Sequence, residues 1–239
     1  MPRLLLFLLL MSPVLANDRA GPGETVVLLH GLGRTRWSFY RLERTLRADG
    51  YTVVNRTYPS RARPVEDLAR DFLGPLVAEQ AGATRLHFVT HSMGGIVLRS
   101  YVHDHPVPNL GRVVMLAPPN GGSELADRLI PTWIYRTMNG PAGQQLGTAG
   151  LPTRLGPWPA GAGELGIIAG NVSLNPLFSA ALPGENDGKV AVARARLAGM
   201  KDFLVVPNSH TWLAWRGPVI AQIQTFLRTG AFDHAGSQT

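Results

Sequence analysis

The chain has 239 residues, enough for one sizeable core, and 45% hydrophobic against 16% charged residues excludes an extended, disordered polymer. There is no cysteine, so packing rather than disulfide bridges must hold the fold. The net charge of +7 comes without an aromatic-basic platform or a recognisable reading motif, which argues against a nucleic-acid partner.

The first residues, "MPRLLLFLLLMSPVLAND", set one arginine before an apolar run and then Val14, Leu15 and Ala16, small enough at the right places for a signal-peptidase cut. Residues 1–16 are therefore read as a signal peptide of an exported protein, periplasmic or secreted. The run is short for a membrane span, and anchoring by an uncleaved signal is the alternative. Residues 17–239 form the remaining domain.

"ETVVLLHG" is a short apolar run bounded by turn residues, as expected of a strand buried on both faces, and "GLGRT" is the loop after it. Phe39, Leu42 and Leu46 then recur at helical spacing up to Gly50. "YTVVNRTY" is the next strand, and Pro64 opens a helix with Val65, Leu68, Phe72 and Leu76 on one face. "RLHFVT" is the third strand, residues 94–104 a helix and "RVVMLAPP" the fourth strand. Strands alternating with helices imply a parallel sheet covered on both sides. The alternation then breaks. Residues 118–164 hold no convincing strand and read as an irregular, Gly- and Pro-rich, lid-like insertion, because a long excursion inside a compact domain is usually functional. "ELGIIAGN" and "DFLVVPNS" supply two more strands, Val219, Ile223 and Phe226 a last amphipathic helix, and the tail after Gly230 is expected to fray.

Reactive groups in open parallel sheets gather beyond the carboxyl ends of the strands. The loop His30 to Gly33, Ser92, Asp187 and His210 all fall on that edge, whereas Asp202 sits at the opposite end of its strand. "THSMGG" places Ser92 between a strand and a helix with two glycines behind it, which suits a sharp turn that presents one hydroxyl. A serine hydroxyl attacks a carbonyl only when a base removes its proton, and an imidazole base needs a carboxylate to fix its tautomer. The order Ser92, Asp187, His210 supplies all three. The oxyanion that follows needs two fixed N–H donors, for which the amides of Met93 and Leu32 are placed. Glu185 is the rival acid, His234 the rival base, and His30 is expected to bond backbone rather than react. The histidines of "HDH" at 103–105 do not face one another on a helix, so no metal site is expected, and no cofactor.

"VVLLHGLGRT", "THSMGG", "APPNGGSELAD", "NDGKV" and "NSH" occur in an order that resembles bacterial lipases and esterases of the α/β-hydrolase superfamily. The resemblance implies a reduced α/β-hydrolase fold of about six mainly parallel strands with helices on both faces. It implies Ser92 as nucleophile, Asp187 as acid, His210 as base, and Leu32 and Met93 as the oxyanion hole. Thr90 departs from the glycine that opens the usual elbow pattern. Trp133, Ile134 and Met138 are candidates for acyl contact in the insertion. The expected activity is hydrolysis of carboxylic esters, lipid or other acyl esters, through an acyl-enzyme, by a monomer. The alternatives are an acyltransferase or amidase with the same three residues, or a silent hydrolase-fold binding protein. Arg34, Arg36, Arg41, Arg44 and Arg47 read first as a solvated face and second as a peripheral contact with anionic membrane.

Overall fold

The computed structural model describes residues 20–235; the signal-peptide reading and the last four residues lie outside them. Six strands appear where the apolar runs placed them: β1 Glu24–Leu29, β2 Thr52–Asn55, β3 Arg85–His91, β4 Leu110–Leu116, β5 Glu164–Gly170 and β6 Asp202–Val206. They form one sheet in the order β2-β1-β3-β4-β5-β6, and every pairing is parallel. The partners Leu29, Thr90, Met115, Ile167 and Phe203 lie in one row across it, so the carboxyl ends of the central strands come out level.

The helices are α1 Tyr40–Ala48, α2 Val65–Leu68, α3 Gly74–Glu79, α4 Met93–Asp104, α5 Glu124–Leu129, α6 Trp133–Gln144, α7 Leu151–Arg154, α8 Pro176–Ser179, α9 Val192–Ala195 and α10 Gly217–Thr229. Successive side chains of β1 serve opposite cores: Val26 and Leu28 meet α1 and α10, while Val27 and Leu29 meet α2 through α4. Burial on both faces is what turns the strands into near-continuous apolar runs.

Three expectations need correction. The helix read from Pro64 is interrupted by a π-helical turn, Ala69–Leu73, whose wider turn rotates the face so that Leu73, not Phe72, is fully buried. Phe72 instead stacks on Tyr58 with ring centroids 5.0 Å apart. Residues 118–163 are strand-free but not wholly irregular, since α5, α6 and α7 occupy nearly half of them, and Glu164 already opens β5. The chain after Gly230 does not fray over its described part: Phe232 packs on Phe226, its N–H donates to Asp202 Oδ2, and His234 bonds the same carboxylate. The His234–Asp202 pair thus lies at the amino end of β6, away from the serine.

Candidate active site

The strand order reverses direction at β1 and β3, and Ser92 sits just beyond their carboxyl ends, in the crevice that such a switch opens. Its backbone, φ 54° and ψ −125°, lies in a region that a residue with a Cβ rarely adopts. The turn is held by the Ser92 N–H donating to Leu116 O at 2.8 Å and by the Gly95 N–H donating to Ser92 O at 3.0 Å. Glycine is required behind it, since a Cβ on Gly94 would stand 2.3 Å from Leu29 O. Gly95 explains how the elbow accepts Thr90: a Cβ there would come within 3.2 Å of Thr90 Oγ1 and of Met115 Sδ, so the space a first glycine would leave has moved to the helix.

The three residues predicted to react come together although 118 positions separate the serine from the histidine. His210 Nδ1–H donates to Asp187 Oδ2 at 2.8 Å, and His210 Nε2 accepts from Ser92 Oγ at 3.0 Å. The ionised carboxylate can only accept, which fixes the tautomer. Asp187 Oδ1 is held by the N–H groups of Lys189 and Val190, at 2.9 and 2.8 Å. Glu185, the rival acid, is exposed. His91 Nε2–H donates to His210 O at 2.9 Å and steadies the loop that carries His210. Burial, then the neighbouring His210, hold the His91 pKa well below its usual value, so its ring is a neutral prop.

The β1 loop closes over the serine because Gly31 has no side chain: a Cβ there would lie 3.1 Å from His91 Nδ1 and 3.2 Å from Ser92 Cβ. The next residue is Leu32, and neither its N–H nor that of Met93 donates to a protein acceptor among the described residues. Two unspent donors therefore flank the hydroxyl. His30 is structural, its Nδ1–H donating to Gly31 O at 2.9 Å and its Nε2 accepting from the Tyr58 N–H at 3.2 Å. Burial lowers its pKa, in keeping with the neutral tautomer those bonds require.

A cavity of about 650 Å³ opens at Ser92 and His210. Its far wall is apolar, built by Leu125, Leu129, Ile134, Met138, Leu146 and, from α8, Phe178. Ile134 and Met138, two of the residues singled out in the sequence, line this cavity. Trp133 does not: the helical turn that sets Ile134 on the cavity sets its neighbour off it, and Trp133 is 74% exposed and absent from the lining. Sequence reading missed Arg34, Phe178 and Lys189 as lining residues. A cation directly after the glycine loop and another inside "NDGKV" were the available signals. No group of three His, Cys, Asp or Glu residues capable of holding a metal occurs among the described residues, nor does any helix long and apolar enough to cross a membrane.

A six-stranded parallel sheet with helices on both faces and a serine on a strained strand-to-helix turn accords with a family model, the alpha/beta hydrolase family, that matches residues 26–230. The chain belongs to the alpha/beta hydrolase family. Over 85 residues it is 38% identical to a probable esterase, PIR7A, of Oryza sativa subsp. indica, a stretch covering 32% of this chain and 32% of that relative. Among solved structures, the hydrolase resembles the mature lipase BlEst2 of Bacillus licheniformis, with a TM-score of 0.70 at 22% identity, over 85% of this chain and 93% of the other. It also resembles the metagenomic carboxyl esterase MGS0156, with a TM-score of 0.68 at 22% identity, over 82% and 66%. The phospholipase PlaB of Legionella pneumophila has a TM-score of 0.68 at 20% identity, over 89% and 60%. Likeness at such identities speaks for the fold; the chemistry rests on the hydrolase's own residues.

Proposed function

We propose that this alpha/beta hydrolase is a serine esterase that cleaves carboxylic esters with an aliphatic acyl group. The observation that carries this reading is the series Ser92 Oγ, His210 Nε2 and Nδ1, Asp187 Oδ2, with links of 3.0 and 2.8 Å, opening on an apolar cavity of about 650 Å³. His210 takes the Ser92 proton as Oγ bonds the ester carbonyl carbon, and the resulting oxyanion is received by the free N–H groups of Leu32 and Met93. The carbon–oxygen bond to the alcohol then breaks as His210 returns the proton to the leaving oxygen. Water, deprotonated by the same histidine, attacks the acyl-enzyme, the carboxylic acid departs, and Ser92 regains its proton.

The acyl chain lies along Leu125, Ile134 and Met138, where each buried methylene contributes about 0.8 kcal/mol. Exposed Trp133 on α6 and Leu177 on α8, with side chains turned outward beside the mouth, support contact with a lipid surface. Export rests on residues 1–16 and is checked by the amino-terminal sequence of the mature protein. The esterase reading is tested by a fluorophosphonate probe and a panel of p-nitrophenyl acyl esters on purified protein. Labelling at Ser92 with release of p-nitrophenol is expected; an unlabelled, inactive but folded protein would sink it.

A further inference from the structure

The arginines near the amino end of the domain are not alike. Arg47 pairs with Glu43 at 3.0 Å, Arg41 donates to Trp215 O at 2.9 Å, and Arg36 lies over the Trp37 ring at 4.8 Å. The Arg34 side chain makes no hydrogen bond or ion pair among the described residues and lines the cavity that holds Ser92 and His210. Lys189, two residues after the acid, lines the same cavity, and its ammonium likewise has no bonded partner there. Lys189 is exposed as a residue, and the cavity wall about its ammonium, then the repulsion of Arg34, hold its pKa below its usual value, only partly offset by Asp187.

No carboxylate lines this cavity. Three acids beside lining residues in the sequence are bonded elsewhere: Glu124 through Oε1 with Arg194 at 2.7 Å, its buried Oε2 having no hydrogen-bond partner, Asp127 with Thr148 Oγ1 at 2.7 Å, and Asp187 with His210. Two cations that line one cavity without a bonded acid repel each other, more weakly where solvent screens them, and an anion bound between them would relieve that repulsion. We infer that Arg34 and Lys189 form an anion-recognition pair for a phosphate or carboxylate carried on the alcohol half of the ester. The alcohol half is the one concerned because His210 must protonate the leaving oxygen, which sets that half beside the loop of Asp187 and Lys189, while the apolar wall of α5 and α6 takes the acyl chain. This inference rests on the ester-hydrolase reading and narrows it to anionic esters.

The test uses three butyryl esters with one acyl group and different alcohols: glycerol, glycerol phosphate and glycolate. Butyrate release by the wild-type enzyme should favour the charged esters by at least about tenfold in kcat/KM at low salt, and the advantage should shrink in ~0.5 M NaCl. Whether the phosphate or the carboxylate ester leads tells which anion the pair is built for. Arg34→Gln and Lys189→Gln should each cut the charged-to-neutral ratio by about three- to fivefold, and Lys189→Glu should bring it below one. Calorimetric binding of the non-hydrolysable butyl ether of glycerol phosphate, against the butyl ether of glycerol, reads the same preference without turnover. Preferential binding of the charged ether, lost in Lys189→Glu, supports the pair even if no ester is cleaved, in which case only the esterase reading fails. Equal binding of the two ethers, or a charged-to-neutral ratio that the variants leave unchanged, overturns the inference while leaving the esterase reading intact.

Discussion

The β3–α4 turn and the α5–α6 wall face each other across one cavity, and they are held by opposite means. At the turn, backbone meets backbone: Gly94 and Gly31 leave no room for a side chain, Ser92 is tied to Leu116, and His91 braces His210. The wall is tethered at a few points. Ser123 caps α5 through the Ala126 N–H, Thr132 caps α6 through the Tyr135 N–H, and α6 bends at Gly140 and Pro141, where a Cβ on Gly140 would strike Arg61 O. Arg61 in turn donates to Met138 O at 3.1 Å. Beyond the bend Ala142 is fully buried, whereas before it Trp133, Ile134 and Met138 are exposed. A reacting hydroxyl must be fixed within tenths of an ångström, but an acyl chain asks only for apolar surface of about the right shape.

That contrast predicts where substitutions should be catastrophic and where graded. Ser92→Ala should lower ester turnover by at least ~10³ with an unchanged thermal melt, what remains coming from the oxyanion donors and binding. Near-wild-type turnover in that variant would remove the turn from the chemistry altogether. Asp187→Asn should cost a factor on the order of 10² to 10⁴, because the amide spoils the tautomer of His210, and exposed Glu185→Gln should cost little. Reversal of those two results would move the acid.

Acid should loosen the sheet side first, since its buried histidines, His30, His87 and His91, have lowered pKa values and residues 118–164 contain no histidine. His87, lowered to about 4 from 6.5 chiefly by burial, accepts from the Arg112 N–H at Nδ1 and can do so only while neutral. The unfolded chain therefore binds the extra proton, and stability should fall as pH drops from 6.5 towards 4, by about 2 kcal/mol between pH 7 and pH 5 from this residue alone. Urea unfolding across that range measures it, and a flat profile would contradict the buried neutral ring.

On the wall the effects should be smaller. Ile134→Ala should flatten the rise of kcat/KM along a series from acetyl to octanoyl esters by several-fold and leave the acetyl ester nearly untouched, while outward-facing Trp133→Ala should leave the slope on soluble esters alone. Parallel slopes for Ile134→Ala and wild type would show that α6 is not the acyl wall. The smallest change is expected back at the turn, where Thr90 Oγ1 is buried without a hydrogen-bond partner. Thr90→Val removes that hydroxyl at nearly constant shape and should raise stability by up to about 1 kcal/mol, read as an upward shift of the melt.

The parallel sheet and the edge that carries Ser92, Asp187 and His210 could be read from the chain alone, because strands buried on both faces must be apolar throughout and a sharp turn must be glycine-rich, and both conditions are local. Tertiary structure decided the rest. Whether Ile134 or Trp133 enters the cavity depends on how α6 is rotated by its caps and its bend at Gly140, which no apolar count encodes. Gly95 makes room for Thr90 only once α4 lies across β3 and β4. Arg34 differs from Arg47 only through what stands opposite each, a cavity in one case and Glu43 in the other. Local patterns follow from the solvent preference and backbone freedom of single residues; the direction of one side chain and the partner of one charge follow from packing between segments far apart in sequence, and that exists only in the folded chain.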